Sequence, residues 1–252
     1  MSALTFVLVH GSWQDGEDFA ETIAALERLG HRGYAPTLAG HGPDANRNVT
    51  HADCVQSLVD FVAQKGLRDF VLVGHSFGGT VIAKAAEFMP TLVRRLVFWN
   101  AFVPLDGECL LDNVPPEYRA LFRASAEASP DNTVTLPLQV WREAFINDAD
   151  AALAEATHAR LHPEPFAPFE ARLDLKAFHA LPIPRSYLNA KEDFALPPGE
   201  WAWHPRQSSR LGQFRLVEIS GSHEVLFTNP AGLAAGLVDA GRDRAARCPR
   251  KP

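Results

Sequence analysis

The sequence predicts an α/β fold: a compact, mostly parallel sheet with helices on both faces and a helical cap insertion. Three observations carry that expectation. Short apolar runs alternate with amphipathic helical stretches through roughly the first hundred residues, which implies parallel strands joined by right-handed crossovers. A glycine-flanked turn, Gly74-His75-Ser76-Phe77-Gly78, links a valine-rich run to a helical one. The alternation then stops between about 104 and 181 and resumes afterwards. The expected division is a core of 1–103 and 182–240, a cap of 104–181 and a disordered tail of 241–252.

The first strand is Thr5 to Val9, large apolar residues with no polar alternation, as in a strand buried on both faces. Phe19, Ile23, Leu26 and Leu29 then recur at helical spacing, and Gly30 stops that helix. Arg32 to Ala35 is a short strand leading into the turn-rich loop Pro36–Pro43. A second helix spans roughly Ala52 to Gln64, with Val55, Leu58, Val59 and Val62 on one side. Phe70 to Val73 is the strand before the glycine-flanked turn, Thr80 to Phe88 the helix after it, and Val93 to Trp99 the next strand.

From Pro104 to Leu181 no clean strand is expected. Helical patches at Pro116–Ser125, Gln139–Phe145 and Ala149–Leu161 are broken by prolines into pieces too short for long crossover helices. Placed after a core strand, such a segment is expected to cover the C-terminal edge of the sheet. Arg185 to Asn189 and Phe214 to Ile219 are the last strands, and Pro230 to Val238 the last helix.

Composition narrows the function. The 252 residues are 46% hydrophobic and 21% charged, with a net charge of −6 and a pI near 5.9. Nothing electrostatic favours nucleic acid or an anionic membrane surface, and no apolar run approaches a membrane span. The N-terminal residues resemble a first core strand rather than an export signal. Cys54, Cys109 and Cys248 are expected to be free thiols in a reducing, cytoplasmic setting. The expected partner is a small molecule, with no nucleic acid and no membrane; a homodimer stays open.

The chemistry is expected at three strand ends. Ser76, Asp193 and His223 each lie just past a strand, and in an open parallel sheet those ends converge on one crevice. Strand, sharp turn and helix around Ser76 make a nucleophile elbow, in which Gly74 and Gly78 lack Cβ atoms that would clash. A serine hydroxyl needs a base to take its proton, and the base needs a carboxylate to orient it. The order serine, acid, histidine supplies this. The amides of Phe77 and Ser12 are the expected oxyanion donors.

Other assignments compete. Glu192 adjoins Asp193, and Asp106 follows another strand; either offers a carboxylate. His75 is expected to be packed and hydrogen-bonded, and His10 and His41 to hold the mouth of the sheet. His158 and His162 are spaced i, i+4 but lack the glutamate of a zinc-binding helix, so no metal is expected. Trp201, Trp203 and His204 either line the pocket or anchor the loop after the acid.

The motifs Val9-His10-Gly11-Ser12-Trp13, Ala39-Gly40-His41-Gly42, Gly74-His75-Ser76-Phe77-Gly78-Gly79, Lys191-Glu192-Asp193-Phe194-Ala195-Leu196-Pro197 and Gly221-Ser222-His223 together resemble the α/β-hydrolase superfamily. Within it the chain resembles the group of plant hydroxynitrile lyases, methylesterases and bacterial carboxylesterases. The resemblance implies an α/β-hydrolase fold and a cofactor-free serine hydrolase acting on a small apolar or aromatic ester. The lyases of the group carry threonine where Gly11 stands and lysine where Glu224 stands, so both positions favour ester hydrolysis, and an anionic Glu224 is expected to oppose cyanide departure. Thr37 stands where relatives often carry aspartate, a position of structural importance. Gly11, Trp13, His75, Phe102, Trp141, Phe145 and Phe178 are the expected substrate-binding residues, with Phe122 beside them in the cap. A ligand-binding module, or a lyase, lactonase, thioesterase or amidase with the same triad, is the alternative.

Overall fold

The structure, a computed structural model, describes residues 2–44 and 46–243. Its centre is a six-stranded parallel sheet in the order β2-β1-β3-β4-β7-β8. The strands are β1 (Thr5–Val9), β2 (Arg32–Tyr34), β3 (Phe70–Ser76), β4 (Val93–Ala101), β7 (Arg185–Ala190) and β8 (Arg215–Ile219). β3 and the apolar part of β4 are fully buried, which is why they read as continuous apolar runs rather than alternating ones.

Helices cover both faces. On one, α2 (His51–Gln64) and α3 (Gly78–Phe88) pack with Val7, Phe70, Leu72 and Phe98. On the other, α1 (Ala20–Arg28) and the last helix, α10 (Pro230–Gly241), pack with Phe6, Leu8, Val71, Val73 and Trp99. Local chemistry sets the starts. Thr50 and Asp53 form a capping box at α2, and Asn229 accepts the Gly232 amide ahead of Pro230 in the first turn of α10.

Residues 104–181 fold as α4 (Pro116–Ala128), α5 (Leu138–Val140) running into a wider π turn at Trp141–Phe145, α6 (Ala151–His158), α7 (Ala167–Glu170) and α8 (Lys176–Ala180). Contrary to the expectation of no strand, β5 (Thr133–Val134) pairs antiparallel with β6 (Glu164–Pro165). Two-residue strands are too short to show a period in the sequence. A short α9 (Val225–Thr228) follows β8. The last helix outruns its expected end at Val238, because Gly236 and Gly241 pack closely on Ile219 and Phe6. Of the expected disordered tail, Asp243 takes hydrogen bonds from Arg94 and Arg95, and 244–252 lie outside the described residues.

The sheet order reverses at β1. The chain leaves β1 for β2 on one side and returns as β3 on the other, leaving a crevice at the C-terminal ends of β1 and β3. The register Val9↔Gly74 sets the Gly11–Trp13 loop beside Ser76. The registers Ser76↔Ala101 and Ala190↔Ile219 carry the remaining strand ends to the same edge.

Candidate active site

Ser76 ends β3 with φ 51°, in the left-handed region that a non-glycine residue adopts only under constraint. The constraint is close packing. A Cβ on Gly78 would meet the Val9 and His10 carbonyl oxygens at 2.7 Å, and one on Gly74 would meet the Gly78 carbonyl at 2.7 Å. Both positions are closed to larger residues, so helix α3 starts directly against β1. Phe77 lies at the start of α3, where the first amides have no acceptor within the helix.

Asp193 and His223 arrive from the ends of β7 and β8. His223 Nδ1 lies 2.6 Å from Asp193 Oδ2, and both side chains are almost fully buried. Of the competing acids, Glu192 turns away to accept the Gly221 amide, and Asp106 accepts the Leu175 amide. Asp193 is held twice more: Oδ1 accepts the Ala195 amide at 2.8 Å, and Oδ2 accepts Asn100 Nδ2 at 2.5 Å. Asn100 also takes the Ala190 amide at 2.6 Å and donates to the Ala190 carbonyl at 3.1 Å. A bulge explains its reach. The register passes from His75↔Trp99 to Ser76↔Ala101, leaving Asn100 unpaired with φ 35° and its side chain free to bridge to β7. Sequence reasoning missed Asn100; its one signal was an amide residue ending a long apolar strand.

Aromatic rings box His223. Trp203 stacks on it at 5.2 Å and 13°, Phe145 meets it edge-on at 5.3 Å, and His75 lies tilted at 4.5 Å. Among the described residues no hydrogen bond joins the Ser76 hydroxyl to His223, although both line one cavity; such contacts tighten on substrate binding.

That cavity has an empty volume of about 560 Å3, partly open to solvent. Ser12, Trp13, Phe102 and Phe145 line it, as does Phe122. Other expected residues are placed elsewhere. Trp141 is wholly buried behind Phe145, stacked on it at 5.9 Å, with its indole N–H donated to Thr157. Phe178 packs between Phe98 and the Arg185 guanidinium, at the opposite end of the sheet's strands. Gly11 lies behind Ser76, where a Cβ would meet Ser76 Cβ and His75 Nδ1 at 3.0 Å. His75 is buried under Trp99 and donates to the His223 carbonyl. Aromatic residues in a proline-broken segment do not reveal which face of each turn looks inward. Leu110, Val114, Leu136 and Phe169 line the cavity unforeseen, and Trp203 takes the first of its two expected places, in the cavity lining. Trp201 instead lies under Arg206, and His204 bonds Ser208.

The expectation of an anionic Glu224 needs correction. The side chain is buried, does not line the cavity and accepts Gln14 Nε2 at 2.6 Å. Burial, then Asp18 and Asp193, push its pKa well above the usual carboxylate range, against its anionic form. Gln14 passes the constraint on, because its Oε1 accepts the Gly11 amide at 3.2 Å. Among the described residues, no lysine or arginine lines the cavity.

His10, buried and held near a pKa of about 3 by desolvation, donates to the Gly11 carbonyl and accepts the Leu38 amide. His41 is the opposite case. Burial opposes its cation, but Glu164 at 3.1 Å outweighs burial and raises the pKa to about 10. Thr37 has the structural place expected of it, accepting the Gly16 amide. His158 bonds the Leu136 carbonyl, and His162 approaches Asp15 at 3.4 Å. Among the described residues, His75, His223 and Glu224 have metal-ligand spacing; His223 Nδ1 is engaged by Asp193, Glu224 Oε2 by Gln14, and the His75 ring by Gln14 and the His223 carbonyl.

The chain matches the alpha/beta hydrolase family over residues 6–236. It is 30% identical over 244 residues to a carbendazim hydrolyzing esterase of Nocardioides sp., covering 94% of this chain and 99% of that one. To putative methylesterase 13, a chloroplastic protein of Arabidopsis thaliana, it is 28% identical over 208 residues, 76% of this chain and 46% of that one. The solved structure of an extracellular alpha/beta-hydrolase from a Paenibacillus species superposes with a TM-score of 0.93 at 46% identity, covering 95% of this chain and all of that one. That hydrolase is described as sharing structural and functional homology with tobacco salicylic acid binding protein 2. With the family pattern spanning nearly the whole chain and the six-stranded parallel sheet beneath it, this protein belongs to the alpha/beta hydrolase family.

Proposed function

We propose that the protein is a cofactor-independent serine carboxylesterase for small, apolar or aromatic esters. The carrying observation is the 2.6 Å contact of His223 with Asp193 beside a cavity that also holds Ser76 in its constrained conformation. In this reading Ser76 Oγ adds to the ester carbonyl carbon while its proton passes to His223 Nε2. The carbonyl electron pair moves onto oxygen, and the amides of Ser12 and Phe77 receive that oxyanion. Neither amide has an acceptor among the described residues. Collapse expels the alcohol, which takes the proton from His223 and leaves an acyl group on Ser76. Water, deprotonated by His223, then attacks the acyl carbon, and Ser76 leaves with that proton. Asp193 orients the imidazole and stabilises its cation throughout.

The apolar lining supports the substrate class: Leu110, Val114, Phe122, Leu136 and Phe169 offer surface to a ring or short chain and no cation to a free carboxylate. Those residues also support a cap role for 104–181. The esterase relatives support hydrolysis. A second reading, a ligand-binding protein on the same scaffold, is favoured by the Paenibacillus hydrolase's stated homology to a salicylic acid binding protein. We carry a reducing, cytoplasmic setting as part of the proposal, supported by the free thiols of Cys54 and Cys109.

A substrate panel separates the readings: nitrophenyl esters of graded length, aryl methyl esters, a lactone, a thioester and mandelonitrile. Multiple turnover on the esters, abolished in Ser76→Ala, is expected. Tight binding of an aromatic acid with a single turnover at most contradicts the esterase and favours the binding protein.

A further inference from the structure

Trp13 is a bulky residue at φ 64°, where such side chains are seldom found. Three hydrogen bonds hold it there, and all three come from residues 104–181. Its amide donates to Glu164 Oε2 at 2.8 Å, its carbonyl accepts the His162 amide at 2.9 Å, and its indole N–H donates to the Val134 carbonyl at 2.9 Å. Ser12 sits between two anchored peptides, since Gly11 N–H is bound to Gln14 and Trp13 N–H to Glu164. The direction of the Ser12 amide is therefore set from both sides.

Glu164 does more than hold Trp13. It is fully buried, and its other oxygen pairs with His41, also buried, at 3.1 Å. The His41 ring stacks on Phe77 at 5.7 Å and 21°, and Phe77 carries the second amide. His10 and Cys54 are the other titratable groups against His41; Cys54 adds to the upward shift of its pKa, and Glu164 is the larger cause. A buried carboxylate without a partner is costly, so the pair stands or falls together. One ion pair thus touches both loops that frame the oxyanion position.

We propose that Glu164 is a positioning residue which, with His41, aligns the Ser12 and Phe77 amides as the oxyanion hole. The role rests on the esterase reading. It requires a carbonyl-oxygen acceptor on Trp13 N–H more than it requires charge. A glutamine at 164 keeps that acceptor, and its NH2 can donate to the Nε2 of a neutral His41 whose Nδ1–H stays on the Ala39 carbonyl.

The test compares wild type, Glu164→Ala, Glu164→Gln and His41→Leu in ester turnover and in inhibition by an aryl trifluoromethyl ketone. Ser76 Oγ adds to the ketone carbon, its proton goes to His223, and the carbonyl oxygen becomes the oxyanion, so affinity reports the hole. In Glu164→Ala, kcat is expected to fall about 10²-fold, comparable to loss of one oxyanion donor, with ketone affinity falling in parallel and KM within about threefold. Glu164→Gln recovers at least about tenfold of that loss, since the hydrogen bond is kept. His41→Leu gives the same split, about tenfold in size. Unchanged kcat and ketone affinity in both Glu164→Ala and His41→Leu overturns the role, as does a glutamine no better than alanine. Should the alanine variant not fold, the glutamine and leucine variants still decide. A wild type with no turnover and no ketone adduct fails at the esterase reading itself, an outcome distinct from all of these.

Discussion

Asn100→Ala tests how far Asp193, the proposed catalytic acid, depends on the bulge in β4. Asn100 is fully buried and makes three hydrogen bonds: two to the Ala190 peptide groups and one, at 2.5 Å, to Asp193. Alanine leaves the Ala190 amide and carbonyl without those partners at a buried position. An unsatisfied buried group costs about 1–3 kcal/mol, so the pair costs about 3 kcal/mol if a water enters and about 5 if none does. That is a large part of a typical domain stability of about 5–15 kcal/mol, yet the variant should remain folded. Asp193 keeps the Ala195 amide and His223 but loses the donor that fixes its plane. A displacement of even about 1 Å in such a group can cost 10²-fold, so kcat is expected to fall between about 10- and 100-fold with little change in KM. Urea denaturation followed by tryptophan fluorescence gives the stability, and nitrophenyl acetate hydrolysis gives the kinetics. Stability within about 0.5 kcal/mol of wild type, the range of an ordinary surface substitution, together with unchanged kcat, would refute the reasoning.

Phe145→Ala should enlarge the cavity beside His223 and shift preference toward longer acyl chains, at a stability cost of about 3–5 kcal/mol; a nitrophenyl ester series and a denaturation curve read both. An unchanged length profile would remove Phe145 from the substrate site. Stability should also depend on pH at both ends. His10 and His51 are held neutral, near about 3 and about 4, so acidification below 6.5 protonates the unfolded chain first. Each such group contributes a slope of up to about 1.4 kcal/mol per pH unit, lost as pH falls toward its folded value. His41 has the opposite sign. Its pKa is raised to about 10, so its contribution is complete below 6.5 and disappears as pH rises through about 10. Urea titrations at pH 5, 7 and 10 should show the alkaline loss in wild type and less of it in Glu164→Gln.

The sheet was legible because β1, β3 and β4 each carry a buried apolar run, residues 6–9, 70–73 and 96–99, with no polar alternation. That Ser76, Asp193 and His223 come to one edge of the sheet was legible because parallel strand ends converge, so each needed only its place after a strand. Asn100 was not legible, since a one-residue bulge leaves no pattern. Glu224 was misread because the residue after His223 in the chain points away from the cavity, and burial there works against its charge although Gln14 favours it. The cap was hardest. Its aromatic residues were visible, but Trp141 and Phe145 lie four apart on one π turn, one against Thr157 and the other in the cavity, and only packing separates them. Glu164 lies 151 residues from the Trp13 amide it binds, beyond anything local spacing carries.

The central claim is that Ser76 is the nucleophile of an esterase. A fluorophosphonate probe, followed by intact-mass analysis and peptide mapping, tests it most directly. One adduct on wild-type Ser76, none on Ser76→Ala and slowed labelling in His223→Ala is the expected result. No adduct on the wild type, or equal labelling of Ser76→Ala, contradicts the account.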